Sequence, residues 1–147
     1  MKNTTQKLNT EPYRGTRDFY PENMVLQKYI FSTMRNVAEK FGYVEYDASV
    51  LEETAIYHAK TGSEIVNEQT YSFVDRGGRD LTIRPEMTPT VARMIARKRN
   101  ELAFPLRWYS IPNLFRYERP QRGRLREHWQ LNVDIFGMES IEADAEI

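Results

Sequence analysis

The stretch "FRYERPQRGRLREHWQLNVDIFG", from Phe115 to Gly137, most strongly constrains the fold. Its second half alternates apolar and polar side chains, which is the period of a β-strand with one buried face. The apolar positions are expected to face helices, and they are Trp129, Leu131, Val133 and Ile135. The opposite positions are polar except the last, and they are His128, Gln130, Asn132, Asp134 and Phe136. The stretch therefore predicts two strands joined by a loop.

Five arginines fall within eleven residues of this stretch: Arg116, Arg119, Arg122, Arg124 and Arg126. A solvated sheet face commonly carries such mixed charges, and this interpretation stays open. The alternative is a polyanion site, because guanidinium groups bind phosphate and carboxylate oxygens bidentately. A loop with Gly and Pro could close over a triphosphate. The polar face beneath it could hold a smaller ligand, and its members are Arg116, Glu118, Gln130 and Asp134.

Composition excludes several other functions. The 147 residues include 21 basic and 21 acidic side chains, so a purely electrostatic nucleic-acid binder is not expected. The chain has no cysteine, and His58 and His128 lack metal-ligand spacing, so we predict no protein-held metal. No apolar run approaches about 20 residues and no signal peptide is visible, so we expect no membrane span and a cytoplasmic location.

Local patterns predict the order of the elements. Residues 1–12 are polar and aperiodic and are expected to form a loose tail. A helix is predicted at Glu22–Phe41, with one buried face formed by Ile30, Met34, Val37 and Phe41. A strand at Tyr43–Asp47 and a short helix at Glu53–Lys60 follow. "TYSFV" and "DLTIR" around "DRGGR" predict a hairpin, and Thr88-Pro89 is expected to cap a helix at Thr90–Arg99.

The remaining segments "LRWYS", "NLFRYE" and "REHWQLNVDIFGM" are predicted strands, with a bulge or bend at Pro112. The strands do not alternate regularly with helices. An α+β fold is therefore expected, with an antiparallel sheet flanked by helices. "SIEADAEI" resembles the first turns of a helix with Ser140 as its cap. We expect residues 13–147 to be the N-terminal portion of one domain in a longer protein.

The hairpin motif "FRYERPQRGRLREHWQ" resembles the second signature motif of class II aminoacyl-tRNA synthetases, a strand–loop–strand that binds ATP. "RGTRDFYP", "LTIRPEMT" and the terminal "DAE" extend the similarity, over residues 13–147, to the histidyl-tRNA synthetases. The resemblance implies a partial class II catalytic core. The family's third motif, its histidine-specific segment and its anticodon-binding domain are absent from these 147 residues.

Members of that family use ATP and Mg²⁺ to convert histidine to histidyl-adenylate and then transfer it to tRNA(His). The resemblance implies that Arg116 is catalytic and holds the α-phosphate and the histidine carboxylate. It places Glu118 near the adenine and Arg124 at the β- or γ-phosphate. The other three arginines of the motif have a weaker claim.

The same resemblance assigns Glu86 and Thr88 to the histidine α-ammonium group, and Gln130 and Asp134 to the floor of the amino-acid pocket. An acidic residue and a threonine also suit an ordinary helix N-terminus, so that interpretation stays beside the functional one. Many bacterial relatives carry glycine where this chain has Met87. The helix Glu22–Phe41 and its strand correspond to the first signature motif, which implies a homodimer.

Two non-enzymatic alternatives remain. One is a histidine-sensing regulatory paralogue of ATP phosphoribosyltransferase, which would need the amino-acid floor but not the ATP-binding arginines. The other is a synthetase-like domain within a regulatory kinase. The presence of Arg116, Glu118 and Arg124 together favours the ligase.

Overall fold

A computed structural model describes residues 8–58, 69–119 and 121–147. The helices in these ranges are α1 (Pro21–Lys40), α2 (Ala55–His58), α3 (Thr88–Lys98) and α4 (Ile141–Glu146). The strands are β1 (Val44–Glu45), β2 (Leu51–Glu53), β3 (Tyr71–Val74), β4 (Asp80–Ile83), β5 (Leu106–Ser110), β6 (Asn113–Phe115), β7 (Glu127–Trp129) and β8 (Asn132–Phe136).

The strands form three ladders, ordered β1-β5-β8, β2-β4-β3 and β6-β7. Every pair is antiparallel except β1 with β5. The predicted α+β class is therefore confirmed, with one parallel pair added. The "DRGGR" hairpin is also confirmed, because the Asp75 carboxylate accepts the backbone N–H groups of Gly77 and Arg79 at 2.8 and 2.9 Å and closes the turn.

The ladders β5–β8 and β6–β7 are two parts of one long hairpin. Ser110 lies opposite Asn132 and Asn113 lies opposite Trp129, so two residues separate the paired positions on both arms. The interruption predicted at Pro112 is present, but it lacks the extra residue that defines a bulge. Proline has no N–H to donate; the Pro112 carbonyl instead accepts the Gln130 N–H at 3.4 Å. The predicted continuous strand "REHWQLNVDIFGM" is accordingly divided into β7 and β8.

Helix α1 lies where it was predicted, but the predicted buried face is wrong. Ile30, Val37 and Phe41 are 40%, 52% and 62% exposed. The side that contacts the sheet contains Phe31 and the buried Ala38, about a quarter turn further round the helix. Apolar residues cover more of this helix than one sheet can bury, so their spacing alone did not identify the inner side.

The core between α1 and the sheet contains the buried side chains of Ala38, Tyr43 and Tyr109. The apolar face predicted for the second hairpin arm packs against it through Leu131, Val133 and Ile135. Trp129 continues this face and contacts Phe31 and Phe19, with ring centroids 6.2 and 5.2 Å away. The opposite, polar face of the hairpin is thereby directed away from α1.

The other predicted elements are present, with different bounds. The strand predicted at 43–47 is β1, and the helix predicted at 53–60 is α2, with residues 59 and 60 outside the described ranges. Helix α3 begins at Thr88, two residues before the predicted start, so Thr88 and Pro89 form its first turn and Met87, not Thr88, is the N-cap. None of the helices in the described parts combines the length and apolar character needed to span a bilayer.

Candidate functional site

Arg116 joins two motifs that are distant in sequence. Its backbone N–H donates to the Arg126 carbonyl at 2.8 Å, which extends the hairpin beyond β6 and β7. Its Nε donates to the Pro85 carbonyl at 3.0 Å. The "LTIRPEMT" and "FRYERPQRGRLREHWQ" segments therefore meet at this half-buried guanidinium group.

Arg84 fixes the segment that Arg116 contacts. Its side chain is 5% exposed, and its Nη1 donates to Asp47 Oδ1 and to the Ala48 carbonyl, both at 2.8 Å. Its Nε donates to the Asn113 carbonyl at 3.0 Å. Sequence reasoning did not single out Arg84; the one available signal was its position inside the "LTIRPEMT" motif.

Glu86 and Thr88 follow Pro85 directly, so they lie next to the Arg116 contact. Glu86 is half-buried and Thr88 is exposed at the start of α3. Within the described residues Glu86 has no ion-pair partner. Behind it lie the buried hydroxyls of Tyr57 and Thr90, neither of which makes a well-formed hydrogen bond to a described residue. Burial, reinforced by the Glu52 and Glu86 carboxylates, raises the pKa of Tyr57 to about 12.

Asp134 lies opposite Trp108 in the β5–β8 ladder, beside a second pair of buried hydroxyls. The Tyr46 hydroxyl and Ser110 Oγ make no well-formed hydrogen bond to a described residue. Burial raises the pKa of Tyr46 to about 12, and the Asp134 carboxylate adds to that rise. The Tyr46 ring also contacts Trp108, with centroids 5.5 Å apart. Asp134 thus lies at a half-buried, polar position with aromatic walls.

Gln130 and His128 occupy the polar face of the other ladder. Gln130 is exposed and lies in the interruption between β7 and β8. His128 is half-buried near Arg116. Burial and the Arg116 charge lower the pKa of His128, and Glu118 partly opposes this effect. The imidazole is therefore favoured in its neutral form beside the guanidinium group.

The remaining arginines of the hairpin serve different purposes. Arg124 forms an ion pair with Glu118, whose side chain is 11% exposed, and Arg124 Nη2 lies 3.3 Å from Glu118 Oε1. Arg126 donates to the Glu118 carbonyl at 2.9 Å and to the Tyr13 hydroxyl at 2.8 Å, and stacks 4.2 Å over the Tyr117 ring. Arg126 is thus a structural residue that fixes the N-terminal segment to the hairpin.

The Glu118–Arg124 pair borders an open, polar cavity of about 400 Å³. Its lining residues come from the hairpin and from the segment before β3, and they are Gln69, Tyr117, Glu118, Arg119, Gln121 and Arg124. A tight turn with Gly123 at φ 77° lies at its rim, because Gln121 and Arg124 exchange backbone hydrogen bonds of 2.9 and 3.1 Å. Arg119 and Arg122 are exposed and form no ion pair with a described residue. The cavity is suited by size and charge to an anionic group.

Comparison with known proteins identifies the family. Residues 15–147 match the family described as histidyl-tRNA synthetase. The chain belongs to the histidyl-tRNA synthetase family. The resemblance drawn from the hairpin, "RGTRDFYP" and "LTIRPEMT" is therefore confirmed, and with it the aminoacyl-tRNA ligase character of the family.

Individual relatives show how much of the family's length is present. The histidine–tRNA ligase of Leptospira biflexa is 61% identical over 142 residues, which are 97% of this chain and 32% of the relative. That of Thermoplasma volcanium is 51% identical, over 95% of this chain and 32% of the relative. The chain thus spans about a third of the length of these curated relatives.

Solved structures confirm the fold as part of a class II histidyl-tRNA synthetase. The histidyl-tRNA synthetase from Nostoc sp. is 25% identical, with a TM-score of 0.78, and is matched over 94% of this chain and 32% of its own. A protein from Bacillus halodurans, described as an ATP phosphoribosyltransferase regulatory subunit/histidyl-tRNA synthetase, is 28% identical, with a TM-score of 0.82. That match covers 97% of this chain and 36% of the Bacillus protein.

Proposed function

We propose that the protein containing this chain is a histidine–tRNA ligase, which activates histidine with ATP and Mg²⁺ and transfers it to tRNA(His). The observation that carries the proposal is the 3.0 Å hydrogen bond from Arg116 Nε to the Pro85 carbonyl. It unites the arginine-rich hairpin with the segment that carries Glu86 and Thr88. The groups that we propose for the carboxylate and the ammonium group of a zwitterionic amino acid are thus on two segments that meet.

Arg116 is the group that we assign to catalysis. Its Nε is occupied by Pro85, while its two terminal nitrogens have no hydrogen-bond partner among the described residues. They are available to the histidine carboxylate and the α-phosphate. Negative charge accumulates on the α-phosphate as the carboxylate attacks phosphorus and pyrophosphate leaves. A fixed guanidinium group stabilises that charge most strongly in the transition state.

The cavity at the hairpin is assigned to ATP. Arg124 would bind the β- or γ-phosphate, and Glu118 would then lie near the adenine. Phosphate oxygens would compete with the Glu118 carboxylate for Arg124 Nε and Nη2. Mg²⁺ enters with ATP, bound by the phosphate oxygens.

The histidine substrate is assigned to the polar face between Glu86 and Asp134. Glu86, Thr88 and Gln130 would bind the α-ammonium group, and Asp134 would accept the ring N–H. A neutral imidazole has one donor and one acceptor nitrogen, so a carboxylate at the donor also fixes the tautomer. The buried hydroxyls of Tyr46 and Ser110 lie beside Asp134 and supply further polar groups there.

Histidine-dependent exchange of pyrophosphate into ATP by the complete enzyme tests this function. Arg116→Ala should lower the exchange rate by at least about 100-fold, because a transition-state contact is lost. Arg122→Ala is the matched control, since Arg122 is exposed and unpaired among the described residues, and it should exchange at nearly the wild-type rate. No exchange in the wild type, or Arg116→Ala within threefold of it, contradicts the proposal.

The regulatory paralogue of ATP phosphoribosyltransferase is the second candidate. It is favoured by the similarity to the Bacillus halodurans protein, whose description includes that role. Such a protein would bind histidine without needing Arg116 and Arg124 near a nucleotide cavity. Histidine binding without any pyrophosphate exchange would support this candidate over the ligase.

The assembly and domain organisation belong to the same proposal. Residues 13–147 would form the N-terminal portion of the catalytic domain; the tail predicted at residues 1–12 lies mostly outside the described residues, which begin at residue 8. The outward side of α1 is apolar, and its exposed members are Val25, Leu26, Tyr29, Ile30, Val37 and Phe41. A contiguous apolar face of this kind supports a homodimer through α1 and β1.

A further inference from the structure

Arg84 is a buried cation whose contacts converge from three segments. One terminal nitrogen binds Asp47 and Ala48, in the connection between β1 and β2, and Nε binds Asn113 at the start of β6. The same guanidinium group lies 3.8 Å from the sulfur of Met87, which is 1% exposed. Only a planar, branched donor can satisfy acceptors in these different directions at once.

The backbone of Arg84 is held as firmly as its side chain. Its N–H donates to the Val50 carbonyl at 2.9 Å, and its carbonyl accepts the Phe115 N–H at 3.1 Å. The next carbonyl, that of Pro85, accepts Arg116 Nε, and the next side chain is Glu86. Arg84 therefore sets the position of the acceptor that orients Arg116, although it does not itself occupy the polar face.

We propose that Arg84 is a positioning residue for adenylate formation, acting through the Pro85 carbonyl on the Arg116 guanidinium group. This inference rests on the proposed ligase function. Arg84→Lys keeps the positive charge but cannot hold Asp47, Ala48 and Asn113 together. The Pro85 carbonyl then shifts, and a small displacement of a catalytic group can lower a rate by up to about 100-fold.

Steady-state pyrophosphate exchange by the complete enzyme provides the first test. Arg84→Lys should lower kcat by at least about tenfold while the KM for ATP changes less than twofold, because Arg116 stabilises the α-phosphate mainly in the transition state and the other proposed ATP contacts lie in the cavity at the hairpin. Arg93→Lys is the matched control. Arg93 lies on α3, away from Arg116, and it also pairs with a buried carboxylate, that of Glu52. The Arg93→Lys substitution should reduce thermal stability, but it should not lower kcat selectively while the KM for ATP stays unchanged.

A double-mutant cycle with Arg116→Lys tests whether Arg84 acts through Arg116. Arg84→Lys should lower kcat about tenfold in the wild-type background but less than about threefold in the Arg116→Lys background, because the effects of coupled residues are not additive. The cycle is measured on kcat and on the dissociation constant for histidine, so a background with little turnover still gives a result. If Arg84→Lys does not fold, Asp47→Asn replaces it in both backgrounds, because the Asp47 side chain is 69% exposed.

Equal losses in both backgrounds, or equal changes in kcat and the KM for ATP, would show that Arg84 only supports folding and would overturn the inference. These outcomes require an active wild type. A wild type with no histidine-dependent exchange would instead refute the ligase function itself, so the two failures are distinguishable.

Discussion

The arginines of the hairpin have different partners, although they lie close together in sequence. Arg126 is held by Tyr13, Tyr117 and the Glu118 carbonyl, and contributes to the fold. Arg116 is held by one carbonyl and keeps its terminal donors. Arg124 contacts a carboxylate that a ligand phosphate could replace. The family resemblance already gave Arg116 and Arg124 a stronger claim to a ligand than Arg126. The structural role of Arg126 could not be predicted from the sequence, because Tyr13 lies 113 residues away from it.

Because Glu118 and Arg124 form an ion pair, we expect a substitution of Glu118 to strengthen phosphate binding. Glu118→Gln should bind inorganic tripolyphosphate about three to ten times more tightly than the wild type, because the carboxylate both occupies Arg124 and repels phosphate. Tripolyphosphate lacks adenine, so the role assigned to Glu118 at the base does not enter. Titration calorimetry at low ionic strength measures the effect.

Arg124→Gln is the control for this measurement, since it should bind tripolyphosphate more weakly than the wild type. The double variant Glu118→Gln/Arg124→Gln should show no gain over Arg124→Gln alone. If Glu118→Gln binds no better than the wild type, the pair does not restrain Arg124.

The role proposed for Asp134 leads to a prediction about selectivity for histidine. Asp134→Ala in the complete enzyme should raise the KM for histidine at least about tenfold, because the proposed charge-assisted hydrogen bond to the ring would be lost. The KM for ATP should change less than threefold. Discrimination against amino acids without a ring N–H should fall as well. Asn132→Ala, two residues earlier on the same face of β8, serves as the control in the same exchange assay.

Equal increases in the two constants for Asp134→Ala would mean that Asp134 supports the strand rather than the substrate. In that case the ring would have to be recognised outside residues 1–147.

At the scale of elements, local patterns predicted the type and order of most helices and strands. The β3–β4 hairpin and α3 follow from alternation, turn residues and Thr88-Pro89. The patterns gave wrong predictions where contacts between elements determine the structure. The spacing of apolar residues on α1 identified an apolar side, yet the sheet contacts the neighbouring side. Gln130 and Leu131 continue the alternation of a strand, but the lack of an N–H at Pro112 ends the ladder there.

The exposed apolar side of helix α1 leads to a prediction about assembly. Leu26 and Val37 are 62% and 52% exposed and lie on the same side of the helix, three turns apart. The complete enzyme should be a dimer in light scattering. Leu26→Asp/Val37→Asp should weaken association by at least about tenfold, because a charge would have to lose its hydration in the interface.

Val74→Asp provides the matched control, because Val74 on β3 is 64% exposed and lies outside α1. It should leave the dimer intact. A wild-type enzyme that remains monomeric at high concentration would argue against the α1 interface.

Helix α4 is held to the sheet by charge. The Glu146 carboxylate accepts hydrogen bonds from Arg107 at 2.9 and 3.0 Å and from the Tyr43 hydroxyl at 2.8 Å. Arg107 and Tyr43 together lower the pKa of Glu146 from 4.5 to about 2. A carboxylate with a lowered pKa in the folded state adds stability above its unfolded pKa and loses it as the pH falls.

Glu146→Gln should therefore unfold at a lower urea concentration than the wild type at pH 7. The difference should shrink as the pH falls from about 4.5 to about 2. Glu142→Gln, in the first turn of the same helix and exposed, is the control. A difference that stays constant across this range would show that the ion pair does not stabilise α4.

At the scale of the whole molecule, the candidate site could be predicted only in part. The motifs that carry Glu86, Arg116 and Asp134 were recognisable as continuous segments of sequence. The pairing of Arg84 with Asp47, which lie 37 residues apart, was not. Nor were the buried hydroxyls of Tyr46, Tyr57, Thr90 and Ser110. Local patterns indicate which face of an element is polar, but only tertiary packing decides which polar groups become buried together.

Residues 1–147 alone should bind ATP weakly and should not charge tRNA. Arg116 and Arg124 are the groups proposed to contact the triphosphate, but the chain spans about a third of the length of its curated relatives, and we expect further ATP contacts from the rest of the enzyme. We expect affinity for ATP at least about 100-fold below that of the complete enzyme, since positioning contacts are missing. Because the remaining contacts are ionic, binding should weaken sharply between about 50 and 300 mM salt. Calorimetry with the isolated chain and its Arg124→Gln variant measures both effects, and the variant should lose most of the salt-sensitive binding. Efficient charging of tRNA(His) by residues 1–147 would show that the arginine hairpin and the Glu86 segment suffice for catalysis.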